Sequence, residues 1–389
     1  MLFTPHALLR IFAVLTLTDL CLAAAPVQAQ SYMLTILGSH GSNANAVNNA
    51  GQVAGVSDLA NGDFHAFLSA GNGGALKDLG TLPGGNTSLG IGINNAGQVT
   101  GQAKANSSGD VHAFLSGPNG VALKDLGTLG GTFSTGSAVN DAGRVTGNAS
   151  LANGSDHAFL SGANGGALKD LGTLPGDVSS SGGGVNNAGQ VAGYSVNADG
   201  SIYHAFLSAA NGGALKDLGL LNGFDSSIGN AVNSTGQVTG VAYNFANQNI
   251  AHAFLSGADG GLLHDLGTMS GFVISVGNAV NDAGQVVGNS SNADGSINSA
   301  FLFSNGLMTD LNSLIAPGSG FTLNGAYGIS DTGFITGGGT DAEGVSYAYL
   351  LTPQAPVPEA STTVSLGLLL ALGMGGMVIA ARRKHTHKA

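Results

Sequence analysis

Between residues 32 and 352 the apolar residues fall in short runs separated by Gly, Asn, Asp and Ser, and the runs recur at a fixed distance. The clearest run, His-Ala-Phe-Leu, begins at His65, His112, His157, His204 and His252, then degenerates to Ser299-Ala300-Phe301-Leu302 and Tyr347-Ala348-Tyr349-Leu350. Successive copies are 47, 45, 47, 48, 47 and 48 residues apart. A period of that length predicts stacked supersecondary units. Each unit holds four segments that read as short strands. The first ends in Asn48, Asn94, Asn140, Asn186, Asn233, Asn281 or Ser330, and the second is typified by Gly51-Gln52-Val53-Ala54-Gly55. His-Ala-Phe-Leu is the third, and Ala75 to Gly80, Ala-Leu-Lys-Asp-Leu-Gly, typifies the fourth. Four glycine-jointed strands in about 45 residues is the spacing of a β-propeller blade.

Turn chemistry agrees with that assignment. Asn61-Gly62, Asn153-Gly154, Asp199-Gly200 and Asp294-Gly295 separate segments two and three. Asn72-Gly73, Asn119-Gly120, Asn164-Gly165, Asn211-Gly212, Asp259-Gly260 and Asn305-Gly306 separate three and four. Both kinds of pair tolerate the positive φ angles of tight hairpins. Centring a hairpin on Asn72-Gly73 pairs Phe67 with Asp78, and centring one on Asn305-Gly306 pairs Phe301 with Asp310. Counting back from the end of segment one, positions −4 and −2 are Gly or Ala in every unit, from Ala44/Ala46 to Ala326/Gly328. Strands converging on a ring axis leave little side-chain room, whereas an open solenoid has no axis to crowd them. The last unit lacks a fourth segment, and residues 33–38 align with a fourth segment that has no earlier partners. An N-terminal strand beside Tyr347–Leu351 is therefore expected to close seven blades.

The repeated histidines invite a metal reading. They lie on third strands of different blades, however, and cannot converge on one ion. Each is placed diagonal to the Asp of segment four: Asp78, Asp125, Asp170, Asp217 or Asp265, with Asp310 completing the acidic series. Hydrogen bonding inside the blade accounts for both series as structural, so neither a metal nor a cofactor is expected. A glycosidase needs two carboxylates across one bond, yet Glu343 is the only Glu in the repeat region, leaving unrepeated Asp. Residues 197–201 and 292–296 resemble fragments of a Ca²⁺ loop but lack its further acidic ligands and read better as turns. No Ser-His-Asp set, phosphate loop or HExxH occurs, so no catalytic residue is assigned. Unrepeated residues are few: Phe133, Asp177, Phe224, Asp225 and Phe272 between units, and Asp156, Tyr194, Tyr203, Tyr243 and Phe245 around segments two and three. Exposed rings among them could stack on sugars, but the chain has no Trp, and most of them read as core or loop packing.

Charge narrows the partners. Residues 30–356 carry six basic and 20 acidic side chains, a net charge of −14, which repels nucleic acid. The only cysteine, Cys21, lies in the leader, so the mature chain has no disulfide or thiolate-bound metal. Residues 1–29 read as a signal peptide, with Arg10, an apolar stretch from Ile11 to Ala25, and small residues Val27 and Ala29 ahead of a cut before Gln30. At the other end come Val357, Pro358, Glu359, Ala360, Ser361 and Thr362, then the uncharged stretch 363–381, then a basic tail 382–389 containing Arg382, Arg383 and Lys384. Nineteen uncharged residues suffice to cross the membrane as a helix, and the basic cluster is expected to stay cytoplasmic as its stop.

These three C-terminal elements, in this order, resemble the PEP-CTERM sorting signal of Gram-negative bacteria that make exopolysaccharide. The resemblance implies recognition of Pro-Glu by an exosortase and release from the inner membrane. Separately, His-Ala-Phe, Asp-Leu-Gly-Thr-Leu and Asn-x-x-Gly-Gln-Val resemble the HAF-repeat family of extracellular proteins across residues 32–352. That family has no established activity, so the resemblance implies architecture and location only. The resulting expectation is an all-β chain: signal peptide 1–29, seven-bladed propeller 30–352, and linker with sorting segment 353–389. Its partners would be signal peptidase, an exosortase-like enzyme, the inner membrane before processing, and exopolysaccharide or another envelope component. A non-catalytic binding or matrix protein at the cell surface is the first functional reading; a polysaccharide hydrolase or lyase is the second.

Overall fold

The computed structural model describes residues 30–244 and 247–354. The segments expected as signal peptide (1–29), sorting motif (Val357–Thr362), membrane-spanning stretch (363–381) and basic stop (Arg382, Arg383 and Lys384) lie outside the described residues. Among the described residues, no helix is long and apolar enough to cross a membrane.

The fold is all-β and propeller-like. In the first repeat, strands Asn43–Val47, Val53–Asp58, Phe64–Ser69 and Leu76–Asp78 pair antiparallel in chain order. The same inner-to-outer order recurs through the chain. Two sheets count eight strands because single parallel bridges, Val111 with Phe133 and Ala251 with Ile274, join consecutive sets of four. The last set, Phe321–Ile329, Ile335–Asp341 and Ser346–Pro353, takes Tyr32–Leu37 as its outer strand. Met33 faces Thr352 and Leu37 faces Ala348 in that pairing. The expected registers of Phe67 with Asp78 and Phe301 with Asp310 are both present.

The core lies between sets rather than within one. Leu68 of the first set packs with Leu82, Val99 and Phe114 of the second. Leu37 and Leu350 of the last set pack with Val47, Val53 and Phe67 of the first, so the two ends of the repeat region meet. The phenyl ring of each His-Ala-Phe-Leu is essentially dry, from Phe67 at 2 % exposed to Phe301 at 0 %, with Tyr349 in its place in the last set. Room for the ring comes from the second glycine of Gly-Gln-Val-x-Gly. A Cβ on Gly55 would strike the Asn43 carbonyl and lie 2.8 Å from the Phe67 ring. The third strand is thereby pressed against the pleat, and the phenylalanines reach the neighbouring set.

The hairpins divide into two kinds. Between strands three and four, both turn residues take positive φ as expected, for example Asn72 (54°) with Gly73 (68°) and Asp259 (49°) with Gly260 (61°). Between strands two and three the expectation needs correcting: only Gly62, Gly154, Gly200 and Gly295 have positive φ. There the preceding Asn or Asp keeps negative φ and uses its side chain. Asn61 accepts from Asp63 N–H at 3.1 Å, and Asp199 and Asp294 accept from Ser201 and Ser296 N–H at 3.0 and 2.9 Å. An Asx turn satisfies a backbone donor that a mirror-image turn would leave to water.

Candidate functional site

The inner strands surround a central channel with three levels. Its mouth, about 230 Å³, is rimmed by the strand ends and the residues just after them; its shaft encloses about 470 Å³. The β-branched Val47, Ile93, Val139, Val185, Val232 and Ile329 line both and form an apolar waist between them.

At the mouth, the terminal asparagine of each first segment is buried because its amide ties two sets together. Nδ2 of Asn48, Asn94, Asn140, Asn186, Asn233 and Asn281 donates to the carbonyl of the equivalent residue in the next set, at 2.9–3.2 Å. The Asn94 Oδ1 meanwhile accepts from Ala96 and Gln98 N–H, and its Nδ2 also donates to Gln98 Oε1. Ser330 cannot reach as far. Its hydroxyl pairs with Thr332, whose own hydroxyl donates to the Asn49 carbonyl at 3.0 Å and completes the circuit. One residue further on, Asp141, Asp282 and Asp331 each accept a neighbouring set's backbone N–H, from Asn95, Ser234 and Asp282 respectively. Burial raises the Asp141 pKa, but hydrogen bonds from the Asn95 backbone and the Asn187 and Asn95 amides outweigh it and hold the carboxyl below its ordinary value.

The expected Gly/Ala crowding is present in the shaft. A Cβ on Gly90 would lie 2.8 Å from the Gly55 carbonyl, and one on Gly184 would lie 2.8 Å from the Ala231 Cα. Sequence reasoning passed over the residue between those two small positions. The inner strand bulges there, as between Ala44 and Ala46 or Gly229 and Ala231, and the extra residue faces the channel. These residues vary among the sets, with Asn45, Asn230 and Asn278 in three and Ile91, Ser137, Gly183 and Tyr327 in the others. The signal was one variable position between two fixed small ones.

Four of the five repeated histidines pair with the aspartate expected for them. Nδ1 of His65, His112, His157 and His252 lies 2.8–2.9 Å from Asp78, Asp125, Asp170 and Asp265. The same carboxylates accept from the glycine two residues on, as Asp78 does from Gly80 N–H at 2.7 Å, which explains Asp-Leu-Gly. His204 departs from the expected partner Asp217. It turns to Asp177, an unrepeated and nearly buried carboxylate 3.5 Å away, while Asp217 accepts from Gly219 N–H. Asp310 takes the Ser299 hydroxyl and Asn312 instead of a histidine. Among the described residues no group of three or more His, Cys, Asp or Glu could hold a metal ion.

A second structural series went unread. Ser88, Ser134, Ser180, Ser227 and Ser275 each accept from the alanine N–H of the preceding His-Ala-Phe-Leu at 2.8–3.0 Å. Each donates in turn to the glycine carbonyl of the preceding Asp-Leu-Gly at 2.6–3.0 Å. All five stand six residues before the terminal asparagine, so the spacing was available in the sequence.

Of the unrepeated residues, Phe224 and Phe272 pack onto apolar clusters. Phe245 lies outside the described residues. Tyr194, Tyr203 and Tyr243 come together in a row, with ring centroids 5.5 Å apart for the first pair and 6.0 Å for the second. All three are half-buried. Burial, and the nearby Tyr203 and Asp225, push the Tyr243 phenol up to about 12 despite a hydrogen bond with Ser226.

No family model matches the chain, and no curated protein matches it. Several solved structures are similar to the chain. YCF48 bound to a D1 peptide aligns with a TM-score of 0.51 at 9 % identity, over 86 % of this chain and 98 % of that one. Oligogalacturonate lyase from Vibrio parahaemolyticus aligns with a TM-score of 0.51 at 12 % identity, over 84 % and 94 %. TolB from Acinetobacter baumannii aligns with a TM-score of 0.43 at 10 % identity; the match covers 78 % of this chain and 63 % of the TolB chain. For the first two, at such identities, the likeness is one of fold.

Proposed function

We propose that this chain is a seven-bladed β-propeller, exported by its signal peptide and sorted by its C-terminal segment. In this reading it serves at the cell surface as a non-catalytic binding or matrix component that associates with exopolysaccharide. The blade count is supported by the recurring four-strand sets and by the packing of Leu37 and Leu350 on the first set. Export and sorting rest on the resemblance of residues 357–384 to a PEP-CTERM signal, and the repeats on their resemblance to the HAF-repeat family.

One observation carries the non-catalytic reading: the repeated polar side chains are engaged in holding strands and sets together. The histidines pair with aspartates, the asparagines and serines bond across sets, and Lys77, Lys124, Lys169 and Lys216 donate to backbone carbonyls of the next turn. What remains for recognition is the unrepeated set. A polysaccharide hydrolase or lyase is the second reading, favoured by the three carboxylates Asp141, Asp282 and Asp331 around one mouth. Incubating the processed protein, purified from its producer, with the producer's own exopolysaccharide separates the two. Retention without release of reducing ends or unsaturated sugars is expected. Turnover would replace the binding role with the enzymatic one, and no retention would remove both.

A further inference from the structure

We propose that Tyr194, Tyr203 and Tyr243, with Asp156 at one end of the row, form a docking surface for a glycan carrying free amino groups. This deepens the polysaccharide-binding reading and rests on it. The repeats themselves give no reason for these rings. At the position of Tyr194 other sets carry Val56, Gln102 or Asn148, and at that of Tyr203 they carry Phe64, Val111 or Asp156, on the same strand framework. Architecture therefore does not demand tyrosine at either place.

Position argues the same way. Strand Val191–Asn197 leaves the apolar waist at Val191, paired with Val185, and reaches Tyr194 three residues later. Tyr203 opens the next strand, and Tyr243 lies five residues beyond Val238, which pairs with waist residue Val232. The row therefore sits toward the end of the sets opposite the amide-lined mouth, across two neighbouring sets. Ring planes tilt by 52° and 53° to one another, which makes a shallow, faceted surface instead of a closed stack. Tyrosine suits such a surface, since its face takes apolar C–H groups while its hydroxyl is anchored, that of Tyr194 by Ser181 and that of Tyr243 by Ser226.

Charge selects among sugars. Asp156, bonded to the Ser150 hydroxyl at 2.6 Å, opens its strand in the preceding set at the position that Tyr203 holds in its own, which extends the row by one set; the Tyr194 phenol is pushed up by burial first, then by Tyr203 and Asp156. Aromatic faces beside a carboxylate attract a cationic amine by cation–π and Coulomb terms together. A polyanionic glycan would meet repulsion from the same groups, and the repeat region's charge of −14 adds to it.

The test titrates the processed protein with glucosamine hexasaccharide, its fully N-acetylated form and a neutral glucan hexasaccharide by calorimetry, using wild type, Tyr203→Ala, Tyr203→Phe and Asp156→Asn. Wild type should bind the glucosamine chain at least about tenfold tighter than the other two. Tyr203→Ala should lose about tenfold or more, whereas Tyr203→Phe, which keeps the ring, should bind nearly as wild type. Asp156→Asn should remove the preference for free amines, and it reads that point even where Tyr203→Ala unfolds. Equal affinity for all three chains overturns the amine preference, and unchanged binding by a folded Tyr203→Ala overturns the platform. If those failures occur while wild type still retains the producer's polysaccharide, only this inference falls. If wild type retains no polysaccharide at all, the binding reading falls with it.

Discussion

Removing one amide from the ring at the channel mouth should cost far more than a typical surface change. Asn94 is 4 % exposed and its side chain makes four hydrogen bonds: Nδ2 donates to Gln98 Oε1 (2.8 Å) and the Asn140 carbonyl (2.9 Å), and Oδ1 accepts from Ala96 (3.1 Å) and Gln98 N–H (2.9 Å). In Asn94→Ala the Gln98 N–H and the Asn140 carbonyl lose this partner at buried positions. At about 1 kcal/mol for each bond lost, with more where a buried group stays unpaired, the expected cost is about 3–4 kcal/mol. With an m-value of about 3 kcal/mol/M, the urea midpoint should fall by about 1 M. Far-UV circular dichroism is the suitable probe, because the chain contains no Trp. The last set supplies a control, since Ser330 and Thr332 fill the same place with two hydroxyls. The double change Asn94→Ser with Ala96→Thr should recover at least half of the loss. A cost below about 1 kcal/mol for Asn94→Ala would mean that water replaces the amide freely, contrary to the burial argument. No recovery in the double variant would refute the equivalence drawn between the two solutions.

Deleting residues 30–38 removes the outer strand of the last set and the buried Leu37, so stability should drop by at least about 5 kcal/mol; an unchanged urea midpoint would remove the closure by that strand. Tyr32, in the same strand, has its phenol pushed up to about 12 by burial. Its folded pKa exceeds its unfolded value, so its contribution is intact below pH 10 and is lost between pH 10 and 12, amounting to about 2–3 kcal/mol. Tyr32→Phe should flatten that part of the stability profile, read from unfolding midpoints at pH 9 and 11.5. Changing Pro358 and Glu359 to Ala should leave the protein in the membrane fraction while wild type is released, as judged with an antibody to the repeats. Identical fractionation would reduce the C-terminal segment to an anchor.

Much of this fold is legible in the sequence because repetition multiplies weak signals. A single Asn-Gly pair is ambiguous, but the pairs from Asn72-Gly73 to Asn305-Gly306, each in the same place, fix a hairpin register. Closure by residues 32–37 is legible for the converse reason: the last set lacks a segment that the N-terminus supplies. The turn types between strands two and three were harder to read, since Asn61 serves an Asx turn as well as a mirror-image one and composition does not distinguish them. Attention to conspicuous residues also hid quieter ones. His65 drew notice, while Ser88, with two bonds across sets, did not. The row of tyrosines was beyond sequence reading, because Tyr194, Tyr203 and Tyr243 are assembled from separate strands of two sets.

The pairing of Tyr32–Leu37 with Ser346–Pro353 has a consequence for how the chain acquires its shape. A polypeptide made from its N-terminus offers this strand long before its partner exists. Until the final hairpin arrives, the nascent chain can build consecutive hairpins, each leaning on the next, but both ends of the series stay uncovered. Joining the first strand to the last spans nearly the whole described length, the kind of contact that comes late and slowly. The terminal strand thus acts as a clasp that fastens only when the necklace is complete. A chain held open in this way stays a series of hairpins until its last strand is made, and only then commits to its compact form.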